Sequence, residues 1–265
     1  MKILAIGDPH GDLDKIKRIP IKNIDLILLT GDLGSADLIR KMAFENIDRQ
    51  KQGLDKKEFL SSMKKKGYLE VYNSSLKVVK YLANLAPVFL IYGNADEHNQ
   101  EVRTLSKEIK QKLPFMYTDL TNMNNVKIIN NKIANFNGVR IGGLEYFVDT
   151  CWIKEFKPTD YAKKMKQAKK ESDKAKKVLG KYEDIDILLC HQPPYGVLDK
   201  VSFKGAPKFW IGKHAGSKII LDYLKKKHPQ YVFCGHIHEA EGIKKLGKTE
   251  IYNLGVAGYK IVSIK

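Results

Sequence analysis

Five short runs rich in Ile, Leu and Val each stop at residues able to bind a metal ion, and this repetition restricts the chain more than any other feature. Ile3 to Ile6 leads into Gly7-Asp8-Pro9-His10, Leu26 to Leu29 into Gly31-Asp32, and Val88 to Tyr92 into Gly93-Asn94. Residues 185–190 end at Cys190-His191, and 231–234 precede Gly235-His236-Ile237-His238. Short apolar runs bounded by turn residues read as strands buried on both faces, the pattern of a parallel sheet. In open α/β sheets the carboxyl ends of the strands form the ligand crevice, so residues far apart in sequence can converge there. The strand ends thus deliver Asp8, His10, Asp32, Asn94, His191, His236 and His238 to one place.

A donor set mixing carboxylate, amide and imidazole suits Mn, Fe, Zn, Co or Ni, because hard cations take the oxygens and borderline ones also accept neutral nitrogen. A single Asp-x-His or Gly-Asp after a strand is ordinarily a turn with a capping carboxylate. The ordered occurrence of all five segments is what carries the metal reading.

In that order, Asp8-x-His10, Gly31-Asp32, Gly93-Asn94, His191 and Gly235-His236-x-His238 resemble the five motifs of the calcineurin-like metallophosphoesterase superfamily, spanning residues 8 to 238. The resemblance implies that Asp8, His10 and His238 hold one metal, that Asn94, His191 and His236 hold another, and that Asp32 bridges them. It implies an α/β fold, a four-layer αββα sandwich with two mixed β-sheets packed face to face and helices on both outer sides.

Two cations roughly 3.5 to 4 Å apart can share and acidify a hydroxide and clamp both oxygens of an in-line displacement at phosphorus. The expected activity is therefore hydrolysis of a phosphodiester or small phosphomonoester, with two divalent ions, manganese first among them, and a phosphorylated small molecule or nucleotide as substrate. A nuclease of the same superfamily and a catalytically weak metal-binding scaffold are the alternatives. Many relatives carry a His after the Asn, where this chain has Ala95. Asp96 and His98 are the nearest candidates for the catalytic role that this His would fill. Asp96 could equally orient a ligand or cap a helix. Asn94, Lys213 and His214 are candidate substrate contacts, the last two in a Gly-bounded loop before a helix whose N-terminus could receive phosphate, or which Ser217 simply caps.

The chain carries 47 basic and 30 acidic residues, a formal charge of +17 that would attract phosphorylated substrates and makes nucleic acid a possible partner. Much of the excess lies between Lys154 and Lys181, where 11 Lys face 4 acids, the composition of a solvated face. Lys paired with Glu is also a hyperthermophile habit. Cys151, Cys190 and Cys234 lack paired spacing and read as buried packing residues; Cys190 should face away from the site if His191 faces into it. With no apolar leader or spanning stretch visible, the chain reads as a soluble, cytoplasmic protein with no membrane partner, and the sequence leaves its oligomeric state open.

Residues 1–265 read as one domain with helical insertions near 36–84 and 152–182. The first insertion shows helical periodicity broken near Gly53 and Gly67, and its basic residues, Arg40 among them, are expected to meet solvent. The second reads as a protruding exposed helix stopped at Gly180. Asn137-Gly138 signals a tight hairpin opening a second sheet, and the tail from Ile243 to Ile264 alternates like an antiparallel meander.

Overall fold

The computed structural model describes residues 1–264. Its eleven strands are β1 (Lys2–Ile6), β2 (Leu26–Leu29), β3 (Val88–Leu90), β4 (Val126–Ile128), β5 (Lys132–Phe136), β6 (Val139–Leu144), β7 (Ile187–Cys190), β8 (Tyr231–Cys234), β9 (Gly242–Leu246), β10 (Thr249–Asn253) and β11 (Tyr259–Ser263). They form two sheets, ordered β11-β1-β2-β3-β4 and β5-β6-β7-β8-β10-β9. The inner strands of both are parallel, while β11 and the β5 and β9 edges pair antiparallel. Helices α1 (Leu13–Lys17), α2 (Asp37–Lys51), α3 (Ser61–Ala83), α4 (Asn99–Glu108), α5 (Met116–Thr121), α6 (Thr150–Phe156), α7 (Tyr161–Leu179) and α8 (Lys218–Lys227) complete the described residues.

Strand alternation sets the layers, because successive side chains point to opposite faces of a sheet. Ile3, Ala5, Leu26, Leu28 and Phe89 of the first sheet pack against Ile141, Ile187, Leu189, Phe233 and Tyr252 of the second. The intervening residues Leu4, Ile6, Ile27, Leu29 and Val88 face Ile16 of α1, Val78 and Leu82 of α3 and Leu120 of α5. On the far side Leu188, Cys190, Val232 and Cys234 face Ala175 and Leu179 of α7 and Ile220 and Leu224 of α8. The result is the expected αββα sandwich. All three cysteines are free and buried, and Cys190 packs in the outer helical layer.

Three details depart from the sequence reading. The periodicity break at Gly67 is not a helix end: α3 runs through it, because a Cβ there would lie 2.9 Å from Ile39 Cγ1 of α2, so the glycine is where two helices touch closely. The Lys-rich helix α7 does not protrude; its Ala168, Ser172, Ala175 and Leu179 form a buried stripe, Ala175 and Leu179 packing in the cluster over the second sheet and Ser172 accepting from the Thr150 amide of α6. The tail is not one meander. β9 and β10 form a hairpin on the second sheet, whereas β11 crosses over to pair with β1. The Asn137-Gly138 turn is as expected, with φ of 49° and 91° at its two residues, the left-handed pair that a two-residue hairpin requires. Among the described residues no helix is long and apolar enough to cross a membrane.

Candidate metal centre

The register brings the strand ends level. Ile6 pairs with Leu29 and Leu29 with Leu90 in the first sheet, and Leu189 pairs with Phe233 in the second. The candidate ligands begin within a few residues of these pairings, so Asp8, His10, Asp32 and Asn94 from one sheet meet His191, His236 and His238 from the other.

Asp8, His10, Asp32 and His238 form the tightest group, with one donor atom from each lying within 4.8 Å of the others. His10 Nε2 is 3.1 Å from His238 Nε2, and His238 Nε2 is 3.2 Å from Asp8 Oδ2. His10 Nδ1 lies 3.3 Å from the Gly34 carbonyl, which can only accept, so its proton sits there and Nε2 is left with a lone pair. Asp8 is fully buried; it accepts from the Thr30 hydroxyl at 2.6 Å and from the His236 amide. Burial alone would raise its carboxyl, but His191, His238 and His10 together hold it well below the usual carboxylate range.

A second group adjoins the first. His191 Nδ1 meets the Thr30 carbonyl at 2.9 Å, leaving Nε2 3.0 Å from Asn94 Oδ1 and 3.7 Å from Asp32 Oδ1. The other Asp32 oxygen, Oδ2, is 3.7 Å from His10 Nε2, so one carboxylate faces both groups. The His236 ring centroid is 5.0 Å from that of His191, and the ring of Tyr146 lies against both. Burial, with the neighbouring His191, pushes the His236 imidazole down to about 3, and burial also lowers His10. At His191 burial acts in the same lowering sense, but Asp32 and Asp8 outweigh it and raise the imidazole. Carboxylate, amide and imidazole donors gathered in this way fit divalent cations, which bind such ligands in their deprotonated form.

The backbone is bent to make this possible. His10, Asp32 and His236 all take left-handed φ, at 42°, 46° and 67°. Non-glycine residues held in this region cost free energy and concentrate at functional sites. The glycines before the ligands leave room for other ligands: a Cβ on Gly93 would sit 2.2 Å from Asp32 Oδ1, and one on Gly235 would sit 2.2 Å from Asp8 Oδ1.

The remaining predicted residues lie elsewhere. Asp96 is buried with both oxygens engaged by main-chain amides, Oδ1 with Leu33 at 3.0 Å and Oδ2 with Gly93 at 2.8 Å. It thereby ties the turn after Asp32 to the turn before Asn94. Burial and the nearby Asp32 push it up to about 7. His98 precedes α4 and its Nε2 is 3.0 Å from Glu145 Oε2, a contact that raises the imidazole. Lys213 donates to the Glu155 carbonyl at 2.9 Å, and His214 pairs with Asp199 at 2.8 Å. Neither borders the cavities at the ligand cluster. Ser217 caps α8, accepting from the Ile220 amide.

Two cavities flank the cluster and share Asn94 and Tyr146 as lining residues. One, of about 550 Å³, is acidic, with Asp96, Glu97, His98, Glu101 and Glu145 around it. The other, of about 490 Å³, has Asp32, His236 and His238 on one wall, with Arg40 and several aromatic rings on the rest. Arg40 thus faces a cavity, where the sequence placed it toward solvent. Thr30, Gly34 and Tyr146 also escaped the sequence reading. A polar residue closing the apolar β2 run was the available signal for Thr30; for the other two there was none.

No curated protein sequence matches the chain. One crystal structure shares 16% identity with a TM-score of 0.58, covering 98% of this chain and 94% of its own. TT1561 of Thermus thermophilus shares 16% identity at a TM-score of 0.44, covering 97% and 90%. The NAD nucleotidase NadN of Haemophilus influenzae shares 15% identity at 0.35, covering 97% of this chain and 45% of its own. The family model of calcineurin-like phosphoesterases matches residues 1–240, nearly the whole length, and the chain belongs to that family.

Proposed function

We propose that the protein is a binuclear metal-dependent phosphohydrolase acting on phosphate mono- or diesters of small molecules such as nucleotides. Asp8, His10 and His238 hold one divalent cation, Asn94, His191 and His236 hold the other, and Asp32 serves both. The observation that carries this reading is the Asp32 carboxylate, with one oxygen turned to His10 and the other to His191. When bound, two such ions polarise phosphoryl oxygens and lower the pKa of water.

The protein's own groups do the positioning. Thr30 and Gly34 fix which nitrogen His191 and His10 present, and Asp96 holds the Gly93 and Leu33 turns in place. Arg40, on the cavity wall with Asp32 and His238, can take a phosphate oxygen. His98 borders the acidic cavity together with Asn94, and its pairing with Glu145 favours the protonated ring, which could donate to the oxygen of an ester group that departs into that cavity. This would serve in place of the imidazole missing at Ala95.

The test is hydrolysis of aryl phosphate mono- and diesters by purified protein supplied with Mn²⁺, Zn²⁺ or Ni²⁺. Metal-dependent turnover, falling by about 100-fold or more in His191→Ala and Asp32→Ala, is expected. Absence of turnover with every metal and every ester contradicts the reading.

A further inference from the structure

Both tryptophans of the chain, Trp152 and Trp210, line the same cavity as Asp32, His236 and His238. They arrive from different segments. Phe44 comes from α2, Trp152 and Phe156 from α6, and Trp210 from the long loop between β7 and α8. Trp152 stacks on Phe156 at 4.7 Å, and Trp210 stands edge-on to Phe156, Trp152 and Phe44 at 5.2, 5.7 and 5.9 Å. A small satellite core beneath the loop is the plain explanation for such a cluster. Two observations go beyond it. Phe156 is buried in such a core with Val201 and Ala215, whereas Trp152, Trp210 and Phe44 are only partly buried and line about 490 Å³ of space that opens onto the candidate metal ligands, a volume within the range of small-molecule sites. Moreover, α2 has no buried residue, so Phe44 is not held there by a core.

Arg40 lies one helical turn before Phe44, on the same face of α2, and borders the same cavity. The cavity therefore combines candidate cation ligands, a guanidinium and a set of rings. That combination matches an anionic phosphate joined to a flat apolar group.

We infer that this cavity is a subsite for a planar aromatic group esterified to the phosphate, a one- or two-ring system lying against Trp152 and Trp210 and reaching Phe44, with Phe156 backing Trp152 from the core. The inference rests on the phosphohydrolase reading above and names its substrate class. Flat rings gain from stacked and edge-on contact beyond the area they bury, which an alkyl ester cannot match.

The subsite can be read without turnover. Phenylphosphonate and methylphosphonate, neither of which is a hydrolysable ester, are titrated against the Mn²⁺-loaded protein, following tryptophan emission and heat of binding. Phenylphosphonate is expected to bind at least about tenfold tighter and to change the emission, since both fluorophores line the cavity. In Trp210→Ala and in Phe44→Ala the preference should shrink to within about threefold; Phe44 sits on a helix without buried residues, so that variant keeps folding apart from binding. Equal affinity for the two phosphonates, no binding of either, or an undiminished preference in both variants overturns the subsite. Ester turnover without aromatic preference overturns the subsite and leaves the hydrolase reading standing. Aromatic preference without turnover of any ester supports the subsite and overturns the hydrolase.

Discussion

The main-chain carbonyl of Thr30, at the end of β2, accepts from Nδ1 of His191, at the end of β7, over 2.9 Å and across the two sheets. A carbonyl can only accept, so it fixes the tautomer and turns the Nε2 lone pair toward Asn94 and Asp32. The Thr30 hydroxyl simultaneously accepts from the Asp8 amide at 3.0 Å and donates to Asp8 Oδ1 at 2.6 Å. One residue outside the donor set therefore orients a candidate ligand of each metal.

Thr30→Val keeps the β-branched shape and the carbonyl and removes only the hydroxyl. Such supporting bonds to metal ligands are typically worth about 10- to 100-fold in metal affinity or activity. A loss in that range, with Asp8-side metal affinity falling more than the other in calorimetric titration, is the expected outcome. Wild-type affinity for both ions would show that the hydroxyl does not matter.

Gly93→Ala should displace Asp32, main chain included. The added Cβ would lie 2.2 Å from Asp32 Oδ1, 2.6 Å from the Asp32 main-chain nitrogen and 2.6 Å from His191 Cε1, so the turn at Asp32 and both side chains must move. Misplacement on the order of an ångström can cost about 100-fold in rate. Steady-state kinetics on the variant, beside its thermal melt, checks this; an active variant would mean that Asp32 is not needed where it stands.

The same reasoning applied to Gly67 weighs two effects. Replacing a helix-interior glycine by alanine gains about 1 kcal/mol in propensity. Here the methyl meets Ile39 Cγ1 at 2.9 Å, and overpacking costs about 1–3 kcal/mol. Gly67→Ala is therefore expected to lower the melting temperature slightly, and a rise would show that α2 shifts freely on α3.

Glu97 predicts a pH dependence outside the ligand set. Burial, with the nearby Glu101, pushes its carboxyl up to about 7 from 4.5, and its Oε2 has no hydrogen-bond partner. Between those values the folded protein holds a proton that the unfolded chain has released, so stability from this group declines as pH rises from 4.5 through 7. Comparing urea midpoints at about pH 5 and pH 8, Glu97→Gln should lose less stability than wild type. Identical declines in the two proteins would contradict the assignment.

The buried strands and the convergence of Asp8 with His238 were legible because both follow from a local rule: a buried run, a turn, then polar residues at the carboxyl end; the four-layer sandwich was implied by the family resemblance of those motifs. What it hid depends on three-dimensional neighbours. Gly67 looked like a helix break because only the approach of Ile39 explains it. The solvent-like Lys pattern of α7 masked a stripe of small residues, and Tyr259 to Ser263 looked like a meander strand because alternation does not say which sheet a strand will join. Trp152 and Trp210 carried no motif, being 58 positions apart, and only the fold places them in one cavity.

The most direct test of the account is the number of Mn²⁺ ions bound per chain, measured by equilibrium dialysis with elemental analysis on wild type, Asn94→Ala and Asp32→Ala. Two ions in the wild type, one in Asn94→Ala and a loss of affinity at both positions in Asp32→Ala are predicted. A single ion in the wild type, or two ions bound undiminished in Asp32→Ala, would contradict it.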